Sequence, residues 1–218
     1  MKLITSFLII VGLTANSLFG QNDTLIERAP KVRYVIWFTP STANIINGIA
    51  LGLIESTVIH ENQKINGLSI NVLSPGFFIP AFSSNDKLDN YFEAKNDSLK
   101  LDSIFEANEK IDSSRNNYIH NGLVISGIGI LTDDINGILI SPWCALVDEV
   151  NGISINLFCN LTNKLNGISI GFSNESYFAK GLQVGIFNTT FRLKGIQIGL
   201  WNKNRKRTLP IINWNFKE

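Results

Sequence analysis

The sequence predicts an all-β chain assembled from a short tandem repeat, a β-solenoid-like stack of 14–15-residue units. Three observations carry this expectation. Glycines preceded by Asn or Lys recur at Gly48, Gly67, Gly122, Gly137, Gly152, Gly167, Gly181 and Gly195, the last six spaced 15, 15, 15, 14 and 14 residues apart. Each is followed by an alternation such as Leu182, Val184 and Ile186 between Gln183, Gly185 and Phe187, and a period of two means strand. A repeat this short holds one strand and one connection, so the fold grows by addition.

Taken in order, residues 1–20 read as an export signal. Lys2 supplies the positive start, Leu3 to Leu13 is uncharged and mostly apolar, and the small residues Ala15, Ser17 and Gly20 prepare a cleavage before Gln21. Residues 21–218 form one β-repeat domain. Its first repeats, at Gly48 and Gly67, precede an insertion at about 83–115, which carries eight acids and five bases and no glycine or proline. Leu101, Ile104, Phe105 and Ile111 are spaced as a helical stripe, so the insertion reads as a helical excursion or a loop on one rim, a surface insertion or a docking arm. Six repeats then run from Gly122 to Gly195. Between strands, Leu131, Leu146, Leu161 and Phe191 are expected to tuck under the core. The basic run Lys203, Arg205, Lys206 and Arg207 either blunts the final sheet edge or meets glycolipid phosphates, and Leu209 to Phe216 would cap the core.

Two geometries house such repeats. In a solenoid, like positions stack about 4.8 Å apart in parallel strands; in an up-and-down β-barrel they fall at opposite ends of antiparallel ones. Odd and even repeats do not differ, as hairpins would require. Three aliphatic positions per repeat, such as Ile153, Ile155 and Leu157, fall short of the roughly 25 Å apolar band of a membrane barrel. Both points favour the solenoid. The aromatic-ended segment Leu209 to Phe216 favours the barrel, which stays as the alternative, a small outer-membrane pore or anchor.

The run Gly-Ile-Gln-Ile-Gly-Leu-Trp-Asn from Gly195 to Asn202, followed by Leu209 to Phe216, resembles the tail of a group of exported bacterial surface-repeat proteins with tandem Asn-Gly-Leu-x-Ile-Gly-Leu-x-Asn units. The resemblance spans roughly Asn47 to Phe216 apart from the insertion. It implies an exported cell-envelope protein and transfers no functional residue, because the group has no established activity.

Composition narrows the partners. Lys and Arg number 19 against 18 Asp and Glu, and loss of Lys2 with the leader brings them level. A neutral chain offers no broad attraction to nucleic acid or anionic lipid. Charged residues are 17%, which fits a surface of Asn, Ser, Thr and Gly.

The chemistry-bearing residues are few. Cys144 and Cys159 lie one repeat apart, so stacked coils bring their Cα atoms within disulfide reach; they are either that bond or two packed thiols. Asp133, Asp134, Asp148 and Glu149 share one turn in consecutive repeats. Stacking gathers them into a weak candidate site for a hard cation, with Asn163 and Lys164 following, or leaves them as solvated turn charges. His60 and His120 are expected at turns or rims. Ser69, Ser154 and Ser169 recur at one repeat position, which points to filling of a strand face. The asparagines before the glycines, from Asn47 to Asn166, are placed to form an amide ladder. No nucleophile elbow, phosphate-cradling loop or metalloprotease motif occurs.

The function expected is therefore non-enzymatic and without cofactor: an exported protein of the periplasm, outer membrane or cell surface that presents a surface for binding or coating. The polar strand face, with Gln183, Gln197, Phe187 and Trp201, is the surface expected to meet an envelope glycan, glycolipid or protein, and membrane association is a further expectation.

Overall fold

A computed structural model describes residues 29–54, 62–73, 92–93 and 118–216. The expected helical or loop insertion at 83–115 lies outside the described residues apart from Phe92 and Glu93, as do the leader and His60. Ten strands form one sheet in sequence order: β1 (Val32–Thr39), β2 (Ile45–Ile54), β3 (Gln63–Leu73), β4 (Tyr118–Ser126), β5 (Ile130–Ser141), β6 (Cys144–Asn156), β7 (Cys159–Ile170), β8 (Ser173–Val184), β9 (Phe187–Asn204) and β10 (Thr208–Asn215). From β1 to β9 every neighbour is parallel, and β10 turns back antiparallel on β9. The chain is a β-solenoid of about eight turns. The barrel alternative is wrong, because consecutive repeats run in one direction and the strand order never closes.

Register is set by glycine. Gly48 pairs with Gly67, Gly67 with Gly122, and so on to Gly195, without a slip at that row. Gly152 holds φ at +146°, a conformation L side chains rarely adopt, and a Cβ built there would stand 1.9 Å from the Gly137 carbonyl oxygen. Gly167 meets Gly152 in the same way. Each bend therefore closes onto the bend before it, where no side chain fits. β1 carries Val35 at this position, with φ +72°.

The bend divides each coil into a segment before the glycine and a segment after it. Two residues before the glycine, Ile46, Ile65, Ile135, Val150 and Leu165 are all at most 2% exposed and build the apolar core with Val124 and Leu139. His120 takes the same position in β4. It is buried beside Tyr118, ring centroids 5.2 Å apart, rather than at a rim, because that row faces inward in every coil. Of the connection residues expected under the core, Leu161 and Phe191 are buried, whereas Leu146 is exposed.

After the glycine the polarity runs opposite to expectation. Ser69, Ser154, Ser169, Gln183 and Gln197 point inward and are at most 1% exposed, and the aliphatic residues between them point out. The serines thus fill the strand face as expected. Buried polar groups need partners, and stacking supplies them. Gln197 Nε2 donates to Gln183 Oε1 at 2.9 Å, and Asn213 Nδ2 to Gln197 Oε1 at 3.1 Å. At the corner, Asn160 donates to Asn174, Asn174 to Asn188 and Asn188 to Asn202, each at 2.7–2.8 Å. Gly171, Gly185 and Gly199 leave room for these amides; a Cβ at Gly185 would stand 2.5 Å from Asn174 Nδ2. Outside the bend, the asparagines before the glycines form the expected ladder from Asn47 to Asn166, with steps of 2.7–2.9 Å.

The glycine stack is directly testable. Gly152→Ala forces both a disfavoured φ and a backbone collision, and we expect a loss of about 3–5 kcal/mol, read as a fall in Tm of roughly 10 °C or more. Ala at half-buried Thr189 is the control and should change stability by less than about 0.5 kcal/mol. An unchanged melt for Gly152→Ala would remove the close approach as the source of register.

Candidate functional site

The aliphatic residues that alternation turns outward form continuous rows across the surface of the described residues. One residue after each glycine, a row runs from Ile36 in β1 through Ile49, Leu68, Leu123, Ile138, Ile153, Ile168, Leu182 and Ile196, and ends on Trp214 of β10. Three residues after the glycine, a second row runs from Phe38 through Ile140 and Ile155 to Ile212. Every position of both rows is Ile, Leu, Val, Phe or Trp, and none is buried. Ile138, Ile140, Ile155, Ile170 and Ile198 are each 38–40% exposed, the value of side chains flanked by like neighbours and open above. Ten strands at about 4.8 Å give a face about 43 Å long. A contiguous apolar strip of this size is beyond what scattered surface hydrophobics produce.

Two borders frame it. On the bend side stand the Asn ladder and then Lys180 and Lys194, both exposed, in register with Asn166. On the other side, aromatics gather at the corner: Trp143 against Phe158 with ring centroids 4.5 Å apart, Phe172 against Phe187 at 5.6 Å, and exposed Trp201. Phe187 and Trp201 are therefore at the surface, as expected, but Gln183 and Gln197 are not. The polar face expected to meet a ligand is interior, because the residue after each bend glycine points outward and sets the parity of the rest.

The segment before the glycine carries most of the charge. Asp134, Glu149 and Lys164 are register neighbours, with Asp133 and Asp148 beside them. The four carboxylates do come together. Asp148 Oδ1 accepts from Asn163 Nδ2 at 2.7 Å, Asp133 Oδ2 from the Tyr118 amide at 2.8 Å, and Glu149 Oε1 from Asn151 Nδ2 at 3.1 Å, with Lys164 Nζ 4.0 Å from Glu149 Oε2. Amides and an ammonium thus partner three of the four carboxylates. Among the described residues no group of three or more His, Cys, Asp or Glu is arranged to hold a metal. Burial lifts the Asp134 carboxyl above its ordinary value, and Glu149, Asp133 and Asp148 add to this while Lys164 opposes it.

Cys144 and Cys159 are joined, their Cα atoms 4.5 Å apart in register partners, so the stacking that gathers like residues also makes this bond. The basic run holds the terminal hairpin. Arg207 lies 4.7 Å over the Trp214 ring and donates to the Trp214 carbonyl, and Lys206 Nζ donates to Asn215 Oδ1. Lys203 Nζ sits 4.0 Å over Phe92, whose ring packs edge-on against Phe191. Leu209 to Phe216 close the stack by strand pairing and through buried Asn213, while Ile211, Trp214 and Phe216 remain exposed.

No family model, curated protein or solved structure matches this chain. The surface itself therefore has to suggest the function.

Asp134 yields a test with a definite sign. A carboxyl whose folded pKa is raised holds its proton more tightly in the folded state, so its penalty is absent below the ordinary value of 3.8 and complete above the folded value. Asp134→Asn should raise Tm at pH 7, and the gain should vanish as pH falls below 3.8. A gain independent of pH would mean that charge is not its cause.

Proposed function

We propose that this chain is an exported, non-enzymatic envelope protein that lies on a lipid surface through its ten-strand apolar face. The two uninterrupted rows of outward aliphatic side chains carry the reading. The leader-like residues 1–20 and the cystine support export into an oxidising compartment. The polar groups a catalyst would use are engaged elsewhere: the serines, asparagines and glutamines bond one another inside the coils, and the clustered carboxylates are held by amides and Lys164.

A lipid layer suits this face better than a specific protein or glycan. The backbone groups of the inner strands are spent in the ladder, and both rows lack any polar side chain that would orient a ligand. Apolarity is all the face offers, and an acyl layer asks for no more. The borders agree with this. Trp side chains, as at Trp143 and Trp201, favour the boundary between apolar and polar phases. Lys180, Lys194 and the Arg205–Arg207 end provide cations for anionic headgroups. Such a protein lies in the interface as an amphipathic helix does, with an apolar side buried about 5–10 Å, and it needs no spanning segment.

The expected outcome is flotation of the mature chain with vesicles of phosphatidylglycerol and phosphatidylethanolamine. Replacing Ile140, Ile155 and Ile170 with Gln keeps β-strand-compatible side chains and should cut the floating fraction at least tenfold, with the melt unchanged. A parent chain that stays at the bottom of the gradient, or a triple variant that floats as well as the parent, would discard the reading. Face-to-face pairing of two copies would show as the first of these results.

A further inference from the structure

Six asparagines are followed directly by glycine: Asn47, Asn66, Asn121, Asn136, Asn151 and Asn166. Asn-Gly is the dipeptide most open to deamidation, because glycine has no side chain to keep its backbone nitrogen away from the asparagine Cγ. The glycines of all six are alike in backbone, with φ between +129° and +146°, so the side-chain bonds decide how the sites differ. From Asn66 to Asn166, each Nδ2 donates to Oδ1 of the asparagine one coil earlier. Glu149 fixes this direction, since its Oε1 takes Nδ2 of Asn151 at 3.1 Å and of Asn166 at 3.4 Å, and a carboxylate only accepts. Lys180, which only donates, follows Asn166 in register at the acceptor end of the ladder. At the other end the register neighbour of Asn47 is Tyr34, and Asn47 Nδ2 has no acceptor among the described residues.

We propose that Asn47 with Gly48 is a modification site of this chain, converted to aspartate and isoaspartate, while the ladder protects the other asparagines. The Gly48 nitrogen, its proton given up to hydroxide, attacks Asn47 Cγ. The new C–N bond closes an imide ring, and the Cγ–Nδ2 bond breaks as Nδ2 takes a proton from water and leaves as ammonia. Water then opens the ring at either carbonyl. Breaking the bond between Gly48 N and Cγ gives aspartate, breaking that to the main-chain carbonyl carbon gives isoaspartate, and no oxidant takes part. Two features single out Asn47. Its amide leaves without giving up a hydrogen bond, whereas every other member must lose the one that holds its Nδ2. Its product also fits. A carboxylate in place of Asn47 still accepts from Asn66 Nδ2, now as a charge-assisted bond, but at any later step it would set oxygen against oxygen. Exposure alone would choose Asn136, the one exposed member of the six. The reaction adds a negative charge at the end of the row opposite Lys180 and Lys194.

Peptide mapping by mass spectrometry, after incubation of the mature chain at mildly alkaline pH, should show Asn47 deamidating at least about tenfold faster than Asn121, Asn136 or Asn151. In urea, where the ladder is lost, the rates should converge. Asn47→Ala makes Asn66 the end of the ladder, and Asn66 should then deamidate about as fast as Asn47 does in the parent. Asn47→Asp should keep the parent melt, whereas Asn136→Asp should lower Tm by at least about 3 °C. Equal rates in the folded chain, a maximum at Asn136, a preference for Asn47 that persists in urea, or an Asn66 rate unmoved by Asn47→Ala overturns the proposal. If Asn47→Ala fails to fold, the parent rates with and without urea still decide. None of these readouts involves vesicles, so this inference stands or falls apart from the lipid reading.

Discussion

Everything in this solenoid depends on one close approach, the carbonyl of each bend glycine occupying the space where the next glycine would carry its Cβ. Approaches of 1.9–2.3 Å to an imagined Cβ leave no alternative residue at these bends. Because all coils bend at the same row, every other position is aligned with its counterpart. The Asn ladder, the buried amides, the cystine and the apolar rows are four consequences of that alignment. It also survives a long interruption. Gly67 pairs with Gly122 as closely as Gly137 pairs with Gly152, and Asn121 reaches Asn66 at 2.7 Å across 55 residues of sequence. The stack therefore resumes in register on the far side of the excursion.

The same alignment explains why polar groups can stand inside and apolar ones outside. A lone buried glutamine would cost several kcal/mol in unmet hydrogen bonds. Stacked glutamines and asparagines satisfy one another at 2.7–3.1 Å, and such chains of bonds strengthen cooperatively. Freed from supplying the core on that side, the aliphatic residues are left to face outward. The apolar core is then carried mainly by the segment before the glycine, where Ile135, Val150 and Leu165 stack. Apolar surface on this scale marks a site of interaction, and this is the link between the fold and the lipid contact proposed above.

Much of the architecture was legible in the chain. The glycine spacing gave the strand count of the later repeats, their parallel direction and the Asn ladder, and one repeat of separation placed Cys144 beside Cys159. The inside and outside of the segment after the glycine were not legible from alternation, which has two faces and no sign. Aliphatic residues at Leu182 and Val184 suggest a core, so by alternation Gln183 and Gln197 read as surface residues. A signal for the opposite choice was present. Gly171, Gly185 and Gly199 share the phase of the glutamines, each a few residues before an asparagine, and a small residue kept beside a recurring amide marks a crowded interior. His120 reads as a rim residue for a related reason, since its boundary position in sequence hides the inward row it shares with Ile135.

The central claim is that neighbouring bends lie side by side, in one direction, in glycine register. Proton–proton contacts among the side-chain amides of Asn136, Asn151 and Asn166, read by nuclear Overhauser spectroscopy, test it most directly. In-register parallel stacking predicts that the Asn151 amide contacts both of the others. Absence of both contacts, with through-space links instead joining each repeat to the next in reversed order, would contradict it.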